Sequence, residues 1–138
     1  MSEAHFPENQ RLDSARTVLV VEDEALIRAV LSDMLHDKGF KVLEAANANE
    51  AIEIFKKTTV AIDLVFTDVR MPGSMDGFGL VRWIQSTRPF IPVIVASGDI
   101  GKANDSSCMT LGDMFIPKPY DLERTAMKIR KVLESRSR

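Results

Sequence analysis

The sequence predicts an α/β protein: a doubly wound, five-stranded parallel sheet in the order 2-1-3-4-5, with helices on both faces. Three observations carry this. Short apolar runs alternate strictly with segments of helical period, the pattern of consecutive strand–helix units. The first, third and fourth runs are nearly continuous in apolar residues, as strands buried on both faces must be. Right-handed crossovers between parallel strands then leave few topologies, and 2-1-3-4-5 is the common five-stranded one.

Residues 1–16 are polar and without period, so they are expected to form a mobile N-terminal arm. Thr17-Val-Leu-Val-Val is the first strand. The first helix starts near Glu24 and carries Ile27, Val30, Leu31 and Met34 at the spacing of one apolar face. Gly39 is placed to stop it, because glycine accepts the left-handed conformation. Lys41-Val-Leu-Glu-Ala forms the second strand, and Ala48, Ala51, Ile52 and Phe55 mark the second helix. The third strand runs from Asp63 to Asp68. Leu80, Val81 and Ile84 mark the third helix, with Trp83 beside them. Pro92-Val-Ile-Val-Ala is the fourth strand and Met114-Phe-Ile the fifth. Leu122, Ala126, Ile129 and Leu133 mark a closing helix, and residues 136–138 form a short tail. Between the fourth and fifth strands, Ile100 to Leu111 should hold a further helix. Gly101, Asn104, Asp105, Ser106, Ser107 and Thr110 make it a short, easily displaced one.

The 138 residues suit one domain with a sizeable core. At 45% hydrophobic and 28% charged residues, the composition is that of an ordinary globular protein. A net charge of −2 gives no support to a nucleic-acid surface or an electrostatic membrane anchor. The single cysteine, Cys108, excludes an internal disulfide framework and a cysteine metal cluster. No apolar run approaches the roughly 20 residues that span a bilayer. The polar, acidic N-terminus lacks a signal-peptide pattern, so a cytoplasmic protein is expected.

Four strand ends carry polar residues. Glu22 and Asp23 follow the first strand, Asp68 ends the third, Ser97 follows the fourth and Lys118 follows the fifth. Ligands of such sheets bind beyond the carboxyl ends of the strands, near the switch between strands one and three. Taken singly, each residue has a plainer reading. The acids would complement a helix start, Asp68 and Ser97 would be turn formers, and Lys118 a solvated lysine. Together they form a different constellation. Three clustered carboxylates oppose one another's ionisation, which a hard divalent cation relieves; oxygen ligands suit magnesium. An ammonium and a hydroxyl beside them complete a phosphoryl-transfer site, where positioning and charge neutralisation do most of the work. Asp68, central between strands one and four, is the best nucleophile candidate.

These residues resemble the receiver domain of two-component response regulators, the CheY-like family. The resemblance covers about residues 17–135. It rests on Val-Glu-Asp-Glu after strand one and Asp68-Val-Arg-Met-Pro-Gly-Ser-Met-Asp-Gly after strand three. Ala-Ser-Gly after strand four and Ile-Pro-Lys-Pro-Tyr after strand five complete it. It implies that Asp68 is the phosphoacceptor and Asp23 a direct Mg2+ ligand, with Glu22 a second acid often acting through water. Arg70 would offer its backbone carbonyl to the metal. Ser97 would be the switch hydroxyl, Phe115 the switch aromatic, and Lys118 the partner of phosphoryl oxygens, with a cis peptide before Pro119.

The implied partners are a histidine kinase or histidine phosphotransfer protein as donor and an output protein whose identity the sequence does not give. No nucleic acid or membrane is implied, and the state would be a monomer or a phosphorylation-dependent dimer. Signalling would proceed by conformational switching or onward phosphotransfer, in a switch that is not otherwise an enzyme.

Ser74 lengthens the loop after Asp68 by one residue, and Gly112-Asp113 departs from the usual Gly-Ala pair. The competing readings are a magnesium-dependent phosphohydrolase with an aspartyl nucleophile, a flavin-binding module, and a pseudo-receiver that binds partners without phosphorylation. The phosphohydrolase would want an acid where Arg70 stands. The flavin module would need a phosphate loop where Glu22-Asp23-Glu24 stands, and the complete acidic set argues against the pseudo-receiver.

Overall fold

Residues 17 to 21 show how the sequence builds the centre of the molecule. Alternate side chains of a strand point to opposite faces. Val18 and Val20 enter one core cluster, while Leu19 and Val21 enter the other. The same division repeats in the third strand, with Leu64 and Phe66 against Val65. It repeats in the fourth, with Ile94 and Ala96 against Val93 and Val95. A sheet with apolar side chains on both faces must be covered on both, and helices on each side do so.

The computed structural model describes residues 16–69, 75–97, 115–118 and 120–136. Its elements are β1 (Thr17–Val21), α1 (Ala25–Asp37), β2 (Lys41–Ala45), α2 (Ala48–Lys57) and β3 (Leu64–Asp68). They continue with α3 (Gly77–Thr87), β4 (Val93–Ser97), β5 (Phe115–Pro117) and α4 (Leu122–Arg136). The strands form one sheet in the order β2-β1-β3-β4-β5, every described pair parallel. The fold class and strand order predicted from sequence are those observed. Helices α1 and α4 supply Leu31, Met34, Leu35, Ala126, Ile129 and Leu133 to one core cluster. Helices α2 and α3 supply Ala48, Ala51, Phe55, Leu80, Val81 and Ile84 to the other.

Local chemistry sets the element ends. Gly39 has φ 97°, the left-handed conformation expected of it. The Phe40 N–H donates to Leu35 O and the Gly39 N–H to His36 O, each at 3.0 Å, a Schellman closure of α1. Asn47 caps α2 by accepting from the Glu50 N–H at 2.8 Å, and Asp76 caps α3 by accepting from the Gly79 N–H at 2.9 Å. Asp63 lies just outside β3. Its carboxylate accepts from the Thr17 N–H at 2.8 Å and fastens the entry of β1.

Three expectations need correction. Val30 is 49% exposed and does not belong to the buried face of α1, which is Leu31, Met34 and Leu35. The first turns of α1 stand at the carboxyl end of the sheet. There Val30 and Leu26 line an open groove with Tyr120 and Leu122 instead of packing on the strands. Strand β4 runs one residue later than expected, Val93–Ser97, so Ser97 ends the strand rather than following it. Strand β3 starts at Leu64, one residue later than expected; Asp63 just before it bonds β1 through its N–H, which donates to Thr17 O at 2.9 Å, as well as through its carboxylate. The expected arm up to residue 15 and the weak helix between Ile100 and Leu111 lie outside the described residues. So do the Arg70 carbonyl, Met114, and the Lys118–Pro119 peptide through Pro119. No helix among the described residues is long and apolar enough to cross a membrane.

Candidate functional site

The strand register brings the predicted residues to one edge of the sheet. Val20 pairs with Phe66. Glu22 and Asp68, each two residues further on, therefore reach the same level on the same face. Ladder bonds run to the very ends. The Glu22 N–H donates to Ala45 O at 3.0 Å, Val69 N–H to Ala96 O at 3.1 Å, and Lys118 N–H to Ser97 O at 3.0 Å. The side chains thus stand on backbone that is held by its neighbours.

Glu22, Asp23 and Asp68 each offer a carboxylate oxygen, and these atoms lie within 4.8 Å of one another. Glu22 and Asp68 are 1% and 5% exposed, while Asp23 is open to solvent. Lys118 Nζ lies 2.9 Å from Asp68 Oδ1. One ammonium therefore faces three acids. The four residues come together as the sequence led us to expect.

Ser97 is buried at the end of β4, beside the Ala96 that pairs with Asp68. Phe115 is half-buried on β5, three residues before Lys118. Its ring meets that of Phe78 on α3, with centroids 6.4 Å apart and planes at 63°.

Glu22 carries the site's electrostatic tension. Its Oε2 accepts from the Glu24 N–H at 3.0 Å, so part of its work is local, at the start of α1. Its Oε1 is buried and has no hydrogen-bond partner among the described residues. Burial pushes its carboxyl up to about 7, aided by the charge of Asp68; the Glu24 N–H and the Lys118 charge oppose the rise. A buried carboxylate with one unused oxygen, among other acids, is a place for a hard cation. The donor set fits magnesium: all oxygen, closely spaced, and open on the Asp23 side.

Three further residues shape the site without a sequence signal that would have singled them out. Arg28 bridges β1 and β2, its Nη1 donating to Glu22 O at 2.8 Å and its Nε to Glu44 Oε1 at 3.1 Å. Gly77 opens α3 directly against the acceptor. Its N–H donates to Val69 O at 2.8 Å, and a Cβ there would collide with the Asp68 carbonyl oxygen and sit 2.7 Å from Val69 Cα. Tyr120 stands edge-on to Phe66, with ring centroids 5.7 Å apart. Burial, followed by the fields of Glu22, Asp68 and Glu24, pushes its phenol well above the ordinary range, so it is a donor at any working pH.

Comparison with known proteins agrees with this geometry. The family model described as the response regulator receiver domain matches residues 18–130. The chain is 37% identical over 126 residues to the sensor kinase CckA of Brucella abortus, covering 89% of this chain and 13% of that protein. It is 31% identical to a putative NtrX-like response regulator of Rickettsia bellii, covering 85% of this chain and 24% of that protein. It therefore spans only a small part of these relatives.

Among solved structures, the fold matches a CheY-like receiver domain protein from Methanospirillum hungatei with TM-score 0.80 at 24% identity. That match covers 88% of this chain and 96% of the other. It also matches TrrA of Thermotoga maritima, solved with Mg(2+)-BeF, with TM-score 0.75 at 26% identity, covering 85% and 98%. Five parallel strands in this order, acids and a lysine at their carboxyl ends, and a family model spanning most of the chain place it: it belongs to the response regulator receiver domain family.

Proposed function

We propose that the chain accepts a phosphoryl group on Asp68 from a phosphohistidine of a histidine kinase or phosphotransfer protein. The observation that carries this is the buried Asp68 carboxylate with Lys118 Nζ at 2.9 Å and two further acids within 4.8 Å. Receiver domains are signalling switches rather than enzymes acting on a separate substrate; the self-directed chemistry assigned here is our reading.

A carboxylate oxygen of Asp68 attacks phosphorus in line with the donor nitrogen. A P–O bond forms, the P–N bond breaks, and the imidazole leaves with the electron pair and takes up a proton. Lys118, already on Asp68, is placed to compensate the charge that arrives with the phosphoryl oxygens. Glu22, Asp23 and Asp68 would hold Mg2+, joined by the Arg70 carbonyl. Once bound, the cation would neutralise charge on the acids and on the transferring group.

Ser97, at the end of the neighbouring strand, is the hydroxyl assigned to the phosphoryl group, and Phe115 the aromatic that responds with it. Attack by water on the acyl phosphate later restores the carboxylate. The receiver unit is taken as residues 17–135, with flanking segments on either side. Its setting is the cytoplasm, where such donors are charged. Output is to a partner protein, by contact or by onward transfer.

The test is incubation of the purified chain with a small acyl phosphate donor and magnesium, followed by intact mass. The wild type should gain one phosphoryl group, and Asp68→Ala or omission of magnesium should abolish the gain. A wild type that stays unmodified with donor and magnesium present would sink this reading.

A further inference from the structure

Two polar oxygens beside the acidic site are buried without a hydrogen-bond partner among the described residues: Glu22 Oε1 and Tyr120 Oη. Leaving one such group unpaired costs about 1–3 kcal/mol. Two of them by one site therefore call for a shared explanation, and the fold makes them neighbours. Glu22 lies two residues beyond Val20 and takes the same face of the sheet. The Tyr120 ring packs on the core of that face and meets Phe66 edge-on, at 5.7 Å and 82°. Phe66 is the register partner of Val20. Glu22 and Asp68 are the next positions along those two strands, so the phenol stands beside the carboxylate pair. Glu22 is also the strongest of the charges acting on it.

We propose that Tyr120 is a positioning residue of the acidic site: its hydroxyl donates to Glu22 Oε1 through one enclosed water. This rests on the receiver reading only in assigning the site to a divalent cation. A buried water is stable where it has two or more polar partners, and these two orphaned oxygens supply them. A groove of about 560 Å³, mostly apolar but lined also by Glu24 and Lys118, reaches Tyr120 from solvent. Glu22 is then gripped from two elements. The start of α1 holds Oε2 through the Glu24 N–H at 3.0 Å, and the segment after β5 holds Oε1. A carboxylate held at both oxygens cannot swing away from an incoming cation, so its orientation is settled before the metal arrives. Partners that orient metal-binding side chains in this way are commonly worth tenfold or more in affinity.

Tyr120→Phe tests this, because it keeps the ring against Phe66 and removes only the hydroxyl. Magnesium affinity would be measured by calorimetry, metal-free stability by thermal melting, and phosphorylation by mass across a magnesium series. The expected results are an affinity about tenfold weaker, a metal-free melting temperature slightly below wild type because Glu22 Oε1 loses its bridge, and a phosphorylation deficit that closes as magnesium rises. An affinity within about twofold of wild type would overturn the assignment. So would a weaker affinity that tracks an equal loss of metal-free stability and is not recovered by magnesium, since the hydroxyl would then be structural. Normal magnesium binding by a wild type that no donor phosphorylates would count against the receiver reading alone.

Discussion

At Asp68 one ammonium, 2.9 Å away, is set against two neighbouring acids, and the protein folds with that imbalance in place. Glu22 bears most of it, with its carboxyl pushed up to about 7 from an ordinary 4.5. This has a sign that can be measured. Between those two values the folded protein holds a proton on Glu22 that the unfolded chain has released. The stabilising contribution is therefore complete below pH 4.5 and is lost as pH rises through about 7. In metal-free buffer, thermal stability should fall across this window by roughly 1–3 kcal/mol beyond the trend of a Glu22→Gln variant. Magnesium should flatten the profile, because binding favours the charged carboxylate and gives back at neutral pH what burial takes away. Melting curves at a series of pH values, with and without magnesium, would check it. A profile identical in Glu22→Gln and wild type would show that the group titrates like a solvated one.

At the level of elements, two glycines occupy helix ends for different reasons, and their replacement separates stability from function. Gly39 ends α1 at φ 97° with open space around its Cα, so Gly39→Ala costs only the left-handed conformation, about 1–2 kcal/mol. Phosphorylation of that variant should be unchanged. Gly77 begins α3 with its Cα against the backbone of Asp68 and Val69. Gly77→Ala must push α3 away from the end of β3, costing roughly 1–3 kcal/mol, and should slow phosphorylation by moving the acceptor. Urea unfolding with parallel phosphorylation rates distinguishes the two. The contrast also shows what the sequence could and could not disclose. Gly39 was legible, because a glycine after a run of helical period has a local meaning. So were the buried strands and the acids at their ends, since alternation and strand termination are local patterns. The demand at Gly77 was not legible, because it arises from residues eight and nine positions earlier that only the fold brings close. Val30 misled for the complementary reason. Its spacing is right for a buried face, but it lies on the flank of α1 that faces the groove, while Leu31 in the same turn is buried in the core. Tyr120 reads as one more aromatic until the register of Phe66 with Val20 places it beside Glu22.

Across the whole molecule, the sheet is strong at its centre and weak at one edge. Strands β1 and β3 are buried along their whole length and paired on both sides. Strand β5 has three residues and one neighbour, β4. Local opening should therefore be frequent in β5 and rare in β1 and β3. Lys118 follows β5 directly, and its ion pair with Asp68 ties this weak edge to the central strand. A phosphoryl group on Asp68 replaces a singly charged carboxylate with a group carrying about −1.5 to −2, a net gain of about one negative charge or less at the end of that tether, which strengthens the pull on Lys118. The Phe115 ring, on the same short strand, would be drawn with it against Phe78. Occupancy of Asp68 should thus be felt first as tightening of the β5 edge. Hydrogen exchange with magnesium and beryllofluoride should slow at Phe115–Lys118 while β1 and β3 exchange as before. Lys118→Met, which keeps a long apolar side chain but no charge, should abolish that local slowing. Uniform slowing over all five strands would instead be the mass-action effect of any tightly bound ligand. In that case the Asp68–Lys118 tether would not be the route by which the site reaches the edge of the sheet.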